Sequence, residues 1–238
     1  MAAVQERHWW FAARRRVIAS VIGALALPRH AEILEIGCGT GANLAMLGGF
    51  GRLQAMERDD HARAIAADLG ICPIVAGELP EPVPFDDARF DLVCLLDVLE
   101  HIDDDAAGLT RAKRLLKPSG RLLVTVPAYS WLWSAHDSAH HHRRRYTSGM
   151  LRQRARDSDL AVARLGYFNS LLFPLIAAVR IGNNLVGERK ELGKSDAAMP
   201  SAHVNTLLSG VFGLERYIAP RMLFPFGTSV LALLCNAP

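Results

Sequence analysis

Ile33-Leu34-Glu35-Ile36-Gly37-Cys38-Gly39-Thr40-Gly41-Ala42-Asn43 decides how this chain folds. A branched apolar run ends in an acid, and three glycines then follow at alternate positions. The run reads as a buried strand, and the glycines as a tight turn whose backbone can approach a ligand without side-chain obstruction. Residues 42–47 look helical, so the turn opens at a helix N-terminus, where backbone N–H groups can meet a polar ligand. The stretch predicts a pocket for a nucleotide-type cofactor.

Working outward, strand-like and helix-like segments alternate. Strands are expected at residues 33–36, 53–57, 71–76, 90–96 and 121–126, with helices or loops between them and a helix starting near Asp60. Such alternation specifies a parallel sheet with helices on both faces, a doubly wound α/β fold. Pro118-Ser119-Gly120 reads as a helix stop ahead of the strand ending at Val126. A helix over 148–157, a strand over 160–165 and a final strand over 228–235 follow. The N-terminal segment 5–27 is helical in pattern and ends at Pro28. Between the last two strands lies an apolar, helical segment interrupted by Pro174. No internal repeat or low-complexity linker interrupts the chain, so one domain over residues 1–238 is expected. It divides into an N-terminal helical cap (1–30), a cofactor-binding core (31–165), a helical insertion or lid (166–216) and a final strand region (217–238).

The chain has 238 residues, half of them hydrophobic, and a formal charge of +3, which is too small to argue for nucleic acid or a membrane. Cys38, Cys72, Cys94 and Cys235 lie far apart without paired spacing and read as reduced thiols. No signal-peptide layout precedes Arg14-Arg15-Arg16, and no apolar stretch approaches the roughly 18 residues of a membrane span. A cytoplasmic location is expected.

The glycine loop alone leaves the cofactor open, because Gly37, Gly39 and Ala42 also satisfy the dinucleotide fingerprint. Glu35 argues against a pyrophosphate beside it and suits a ligand bearing an ammonium group. Glu57 ends the second strand about twenty residues after the first glycine, where a carboxylate can accept both ribose hydroxyls. Downstream stand Phe90-Asp91-Leu92-Val93, then Asp97-Val98-Leu99-Glu100-His101-Ile102, then Leu115-Leu116-Lys117-Pro118-Ser119-Gly120-Arg121-Leu122-Leu123-Val124.

With these segments the chain resembles the class I S-adenosylmethionine-dependent methyltransferases, in particular their small-molecule branch, in order from about Glu32 to Val126. The resemblance implies a seven-stranded, mostly parallel sheet with its last strand antiparallel, S-adenosylmethionine as cofactor and S-adenosylhomocysteine as product. It also implies roles. The loop from Gly37 through Cys38 and Gly39 to Gly41 faces the methionine and ribose portions, with Glu35 near the ammonium group. Glu57 takes the ribose, with Arg58 beside it, and Glu78 accepts from the adenine amino group while Leu79 lines the ring. Asp97 lines the same pocket. Asp59 and Asp60 are helix caps.

Both flanks bear on the acceptor. His8-Trp9-Trp10-Phe11-Ala12-Ala13-Arg14-Arg15 resembles a leader found in one subset of these enzymes, which puts Arg14 near the cofactor carboxylate. Three adjacent aromatics cannot share one helical face. Trp133-Ser134-Ala135-His136-Asp137 and His142-Arg143-Arg144-Arg145-Tyr146 resemble the same subset's histidine- and arginine-rich loop over the transferable methyl. Methyl transfer needs alignment, and an oxygen acceptor also needs a base. His136 and His142 are the candidates, with Asp137 orienting them and His101 as a substitute. No metal is expected, since adjacent histidines on an extended chain point in different directions and no carboxylate–histidine spacing supports chelation. The arginine run reads as a solvated face or an anion contact.

The reading is methyl transfer to a small, apolar or carrier-linked acceptor at oxygen. The alternatives are a non-methylating reaction such as cyclisation, a non-catalytic binding protein, or a nicotinamide-dependent oxidoreductase. No nucleic-acid partner is expected. A peripheral membrane or lipid-linked contact through the apolar insertion, and a homodimer, are left open as partners.

Overall fold

A computed structural model describes residues 7–185 and 199–237; Gln5, where the first helix was expected to begin, and residues 186–198 of the insertion lie outside the described residues. The strands are β1 (Glu32–Ile36), β2 (Arg52–Glu57), β3 (Ile74–Ala76), β4 (Phe90–Leu96), β5 (Leu116–Pro127), β6 (Leu160–Phe168) and β7 (Ser229–Asn236). They form one sheet in the order β3-β2-β1-β4-β5-β7-β6. The first five strands pair in parallel, and β7 runs antiparallel between β5 and β6. The helices are α1 (Trp9–Gly23), α2 (Leu44–Gly48), α3 (Asp60–Asp68), α4 (Asp105–Arg114), α5 (Ala135–Ala139), α6 (Ser148–Asp157), α7 (Phe173–Leu185) and α8 (Ala202–Gly213). This is the doubly wound sheet that the alternation of segments specifies, with the seven strands and antiparallel last strand that the resemblance implies.

Strand alternation sorts the core into two layers. Leu34, Ile36, Val93, Leu95, Leu122 and Val124 pack on one face with Leu109 of α4 and Leu151 of α6. Ile33, Ala55, Leu92, Cys94 and Leu123 pack on the other with Val17, Ile18 and Val21 of α1, Leu44 and Leu47 of α2, and Phe212 of α8. Each fully buried leucine or isoleucine contributes about 1.5–3 kcal/mol. The same two-residue period turns Glu35 and Thr125 toward α1 and α2, where Asn43 and Arg14 bond them. Asp59 caps α3 by accepting from the Ala62 N–H at 2.7 Å, as expected, whereas Asp60 pairs with Arg63 at 2.6 Å.

Several expected boundaries shift. β3 begins at Ile74, because 71–73 form a turn whose Pro73 carbonyl accepts from Ala55. β5 begins at Leu116, not Arg121, and α4 has already stopped at Arg114. Leu116 pairs with Phe90 and Arg121 with Leu92, so Lys117-Pro118-Ser119-Gly120 forms a bulge within the strand. A Cβ at Gly120 would lie 2.8 Å from the Phe90 carbonyl oxygen, which explains a glycine there. β6 runs on to Phe168, so the insertion starts after it. Pro174 is the second residue of α7, where its missing N–H costs no helical bond; it opens the helix rather than interrupting it.

The insertion is tied down at both ends. The Glu215 carboxylate, fully buried, accepts from the N–H groups of Asn169, Ser170 and Leu171 at 2.7, 2.6 and 2.9 Å. α8 packs on α1, and the Asn205 side chain accepts from the Trp9 N–H at 2.8 Å, satisfying an otherwise unpaired donor of the first turn. Among the described residues, no helix is long and apolar enough to cross a membrane.

Candidate active site

Strand order reverses between β1 and β4, and this switch point opens a crevice beyond their carboxyl ends. Gly37, Gly39 and Gly41, at its floor, all have positive φ, of 72°, 54° and 87°. A Cβ at Gly37 would come within 2.7 Å of Val98, and one at Gly41 within 2.7 Å of Leu69; at Gly39 nothing among the described residues lies within 4 Å. Gly39 therefore offers bare backbone to open space, which is the geometry a ligand needs. The N–H groups of Gly37 and Cys38 both donate to the Met56 carbonyl, at 2.7 and 3.1 Å, pinning the loop to β2. Cys38 is buried, and burial pushes its thiol up.

Two carboxylates flank the loop. Glu57 accepts from the N–H of Gly39 at 2.7 Å and of Asp59 at 2.9 Å, joining the loop to the end of β2. Each oxygen retains a lone pair for a further donor. Glu35 is 1 % exposed and accepts from Asn43 Nδ2 at 2.8 Å, while among the described residues its Oε2 has no partner. Burial raises its pKa from 4.5 to about 7, opposed by the Asn43 hydrogen bond and the Arg14 charge. Such a group ionises readily beside a cation, so it fits an ammonium-bearing ligand.

Arg14 reaches this region from α1, buried and stacked over the Trp10 ring at 5.4 Å. It pairs with Asp97 at 2.8 Å and donates to the Thr125 hydroxyl at 2.9 Å, which itself donates to Asp97 at 3.0 Å. α1 is thus both a packing helix and the carrier of a cation at the end of β4. Asp97 has φ 62° and does not cap the turn that follows. Arg58 and Glu78 form an exposed ion pair at 3.1 Å, and Leu79 is buried in the core layer beneath them.

The loop after β5 is organised around Asp137, which is fully buried. Arg145 grips it with two bonds of 2.7 and 2.9 Å, His142 Nδ1 lies 2.9 Å away, and the backbone and hydroxyl of Ser134 also donate to it. Burial alone would raise this carboxyl, but the His142 and Arg145 bonds hold it well below the usual carboxylate range. The expected pairing of Asp137 with His142 is present. The side chain of His136 lies outside the described residues. His101 meets His142 edge-to-face with centroids 4.8 Å apart, and burial lowers its pKa to about 4 with a further contribution from His142.

The arginine run divides by partner. Arg143 and Arg144 pair with Asp103 and Asp105 at 3.2 and 3.1 Å, and only Arg145 enters the Asp137 cluster. Tyr146, fully buried, donates to Asp105 at 2.9 Å. Tyr129 stacks on Tyr167 and Trp131 at 5.1 and 5.7 Å, forming an aromatic shelf beyond β5 and β6. Asn43, Thr125, Glu100 and Arg145 are site residues that sequence reasoning missed. Glu100 and Arg145 stood inside quoted motifs, whereas Thr125 is recognisable only from its strand phase.

The model of one protein family, described as a methyltransferase domain, matches residues 10–165. Curated relatives include the biotin biosynthesis bifunctional protein BioCD of Bordetella avium, 35 % identical over 133 residues, with 52 % of this chain and 28 % of the relative covered. The 27-O-demethylrifamycin SV methyltransferase of Amycolatopsis mediterranei is 30 % identical, with 47 % and 44 % covered. The chain spans less than half the length of these relatives. Among solved structures, a chain of the complex containing the Haloferax volcanii Trm112 methyltransferase activator superposes with a TM-score of 0.65 at 18 % identity, over 99 % of this chain and 93 % of that one. The [4+2]-cyclase SpnF superposes with a TM-score of 0.59 at 16 % identity, over 94 % and 85 %. These two share the fold.

Proposed function

The chain belongs to the methyltransferase-domain family, and from that premise we propose that it transfers the methyl group of S-adenosylmethionine to a small acceptor at oxygen. The observation that carries this reading is the open backbone of Gly39 set between Glu35 and Glu57. In this assignment the unpartnered Oε2 of Glu35 receives the ammonium group, and Glu57 uses its remaining lone pairs for the ribose hydroxyls. Cys38 and Gly41 hold the loop's shape around the ligand. Arg58, Glu78 and Leu79 border the adenine end. Arg14, already neutralised by Asp97, orients the methionine end through the Asp97–Thr125 network rather than as a bare cation.

S-adenosylmethionine supplies an electrophilic methyl on a sulfonium sulfur. The chain's task is to align an acceptor oxygen with it, exclude water and remove the hydroxyl proton. With Nδ1 held by Asp137, the His142 imidazole would take the acceptor hydroxyl proton at Nε2. His101 packs against that ring, and His136 belongs to the same loop. The aromatic shelf of Tyr129 and Trp131 favours an apolar or planar acceptor, in keeping with the relative named for demethylrifamycin and another, from Mycolicibacterium vanbaalenii, named for demethylmenaquinone.

Calorimetric titration with S-adenosylmethionine, followed by an assay for S-adenosylhomocysteine with quinol and phenol acceptors, tests the proposal. Binding together with acceptor-dependent product supports it; absence of cofactor binding overturns it.

A further inference from the structure

Glu100 is the least satisfied polar group of the acceptor side. It is fully buried at the turn after β4, and among the described residues neither carboxylate oxygen has a hydrogen-bond partner outside its own backbone. An ionised carboxylate buried in that way costs several kcal/mol, and a protonated one would still leave a donor unmet. The two nearby guanidinium groups are engaged elsewhere: Arg14 holds Asp97 and Thr125, and Arg145 holds Asp137 and the Ala128 carbonyl. A further cation is what this carboxylate lacks.

Two imidazoles converge on it. Glu100, His101 and His142 each offer a ligand atom, and these atoms all lie within 4.8 Å of one another. Zinc–ligand bonds of about 2.0–2.2 Å place tetrahedral ligands roughly 3.5 Å apart, so side-chain shifts of about 1 Å would close the set. The surroundings of His142 also match those of a metal-bound histidine. Its Nδ1 meets the Asp137 carboxylate at 2.9 Å, so coordination would fall to Nε2, and Arg145 and Ser134 hold that carboxylate in place. The expectation that this loop binds no metal weighed adjacent histidines and carboxylate–histidine spacing along the sequence. The convergence instead joins the turn after β4 to the loop after β5, tied by the Arg143 N–H to the Glu100 carbonyl at 2.8 Å.

We propose that Glu100, His101 and His142 form a binding site for one first-row divalent cation, zinc foremost. Two imidazole nitrogens and one carboxylate suit zinc and its neighbours, and such a set keeps a position open for water or a substrate oxygen. With the ion in place His142 is a ligand rather than a base, and an acceptor hydroxyl bound at the open position would be acidified by the metal. Occupancy of the site does not depend on the methyl-transfer reading, because the ion can be measured without cofactor or acceptor.

The test uses the full chain stripped with a chelator and titrated with zinc against a chromophoric competitor, with cobalt(II) absorption reporting coordination. One ion per chain and a cobalt spectrum of low-symmetry coordination are expected. The isosteric Glu100→Gln and His142→Ala should each weaken binding at least about 10-fold, and Asp137→Asn by about 10- to 100-fold. His140→Ala and His141→Ala should leave affinity unchanged. Circular dichroism melting confirms that each variant is folded. A wild-type chain that binds no ion, or binding that survives Glu100→Gln and His142→Ala but falls with His140→Ala or His141→Ala, overturns the proposal.

Discussion

The two halves of the crevice are built on different principles. The glycine loop between β1 and α2 is almost entirely backbone: its shape comes from three positive φ angles and from N–H groups bonded to Met56 and Glu57. The loop between β5 and α6 has backbone bonds too, but its centre is a charged side chain, a buried aspartate gripped by an arginine, a histidine and a serine. A backbone site presents one surface whatever the neighbouring residues are, and so fits a cofactor of fixed shape. A side-chain site changes with each substitution, which suits the partner that distinguishes one member of a family from another.

The comparison breaks first at Asp137. Asp137→Ala leaves Arg145 and His142 buried without their common anion, and should lower stability by about 3–5 kcal/mol, measured by urea unfolding. A loss below 1 kcal/mol would mean that the acceptor loop is held by its backbone after all. On the cofactor side, Glu57→Ala should weaken S-adenosylmethionine binding by about 10- to 100-fold, corresponding to lost charged hydrogen bonds of about 1.5–3 kcal/mol. Unchanged affinity by calorimetry refutes the ribose assignment.

Glu35 gives a pH signature. Its native pKa of about 7 lies above its ordinary 4.5, so the folded chain binds more protons than the unfolded one in that window. Its contribution to stability is therefore full below pH 4.5 and lost as pH rises to 7, at about 1.4 kcal/mol per unit. Glu35→Gln should flatten that slope in urea titrations across pH. If an ammonium group docks there, cofactor binding near pH 7 should also release a proton, visible as buffer-dependent heats. The smallest effect is expected at Glu78: its pair with Arg58 is exposed, and Glu78→Gln should change stability by less than about 1 kcal/mol. A larger loss would show that the adenine edge is more rigid than its exposure implies.

The same contrast governs what the sequence disclosed. Gly37, Glu35 and Glu57 were legible because period-two strands and positive-φ turns are local codes, read within a few residues. α6 was located to the residue for that reason. The start of β5 was misjudged because a bulge against Phe90 absorbs the Pro-Ser-Gly segment, and only the neighbouring strand shows this. The Asp137–His142 pair was within reach, since five residues separate its members. Arg14 with Asp97, and Glu100 with His142, were not, because each joins segments far apart in sequence that only the fold brings together. Thr125 was unremarkable as a strand threonine until α1 placed a guanidinium beside it.

The carboxylate of Glu215 carries a consequence for how this chain could vary. It holds the N–H groups of Asn169, Ser170 and Leu171 from 44 to 46 positions away, so the excursion through α7 and α8 departs and returns at one pinned point. Variation between the anchors is therefore constrained at α8, which packs on α1 and sends Phe212 into the core, and freer elsewhere, while the strands on either side keep their register.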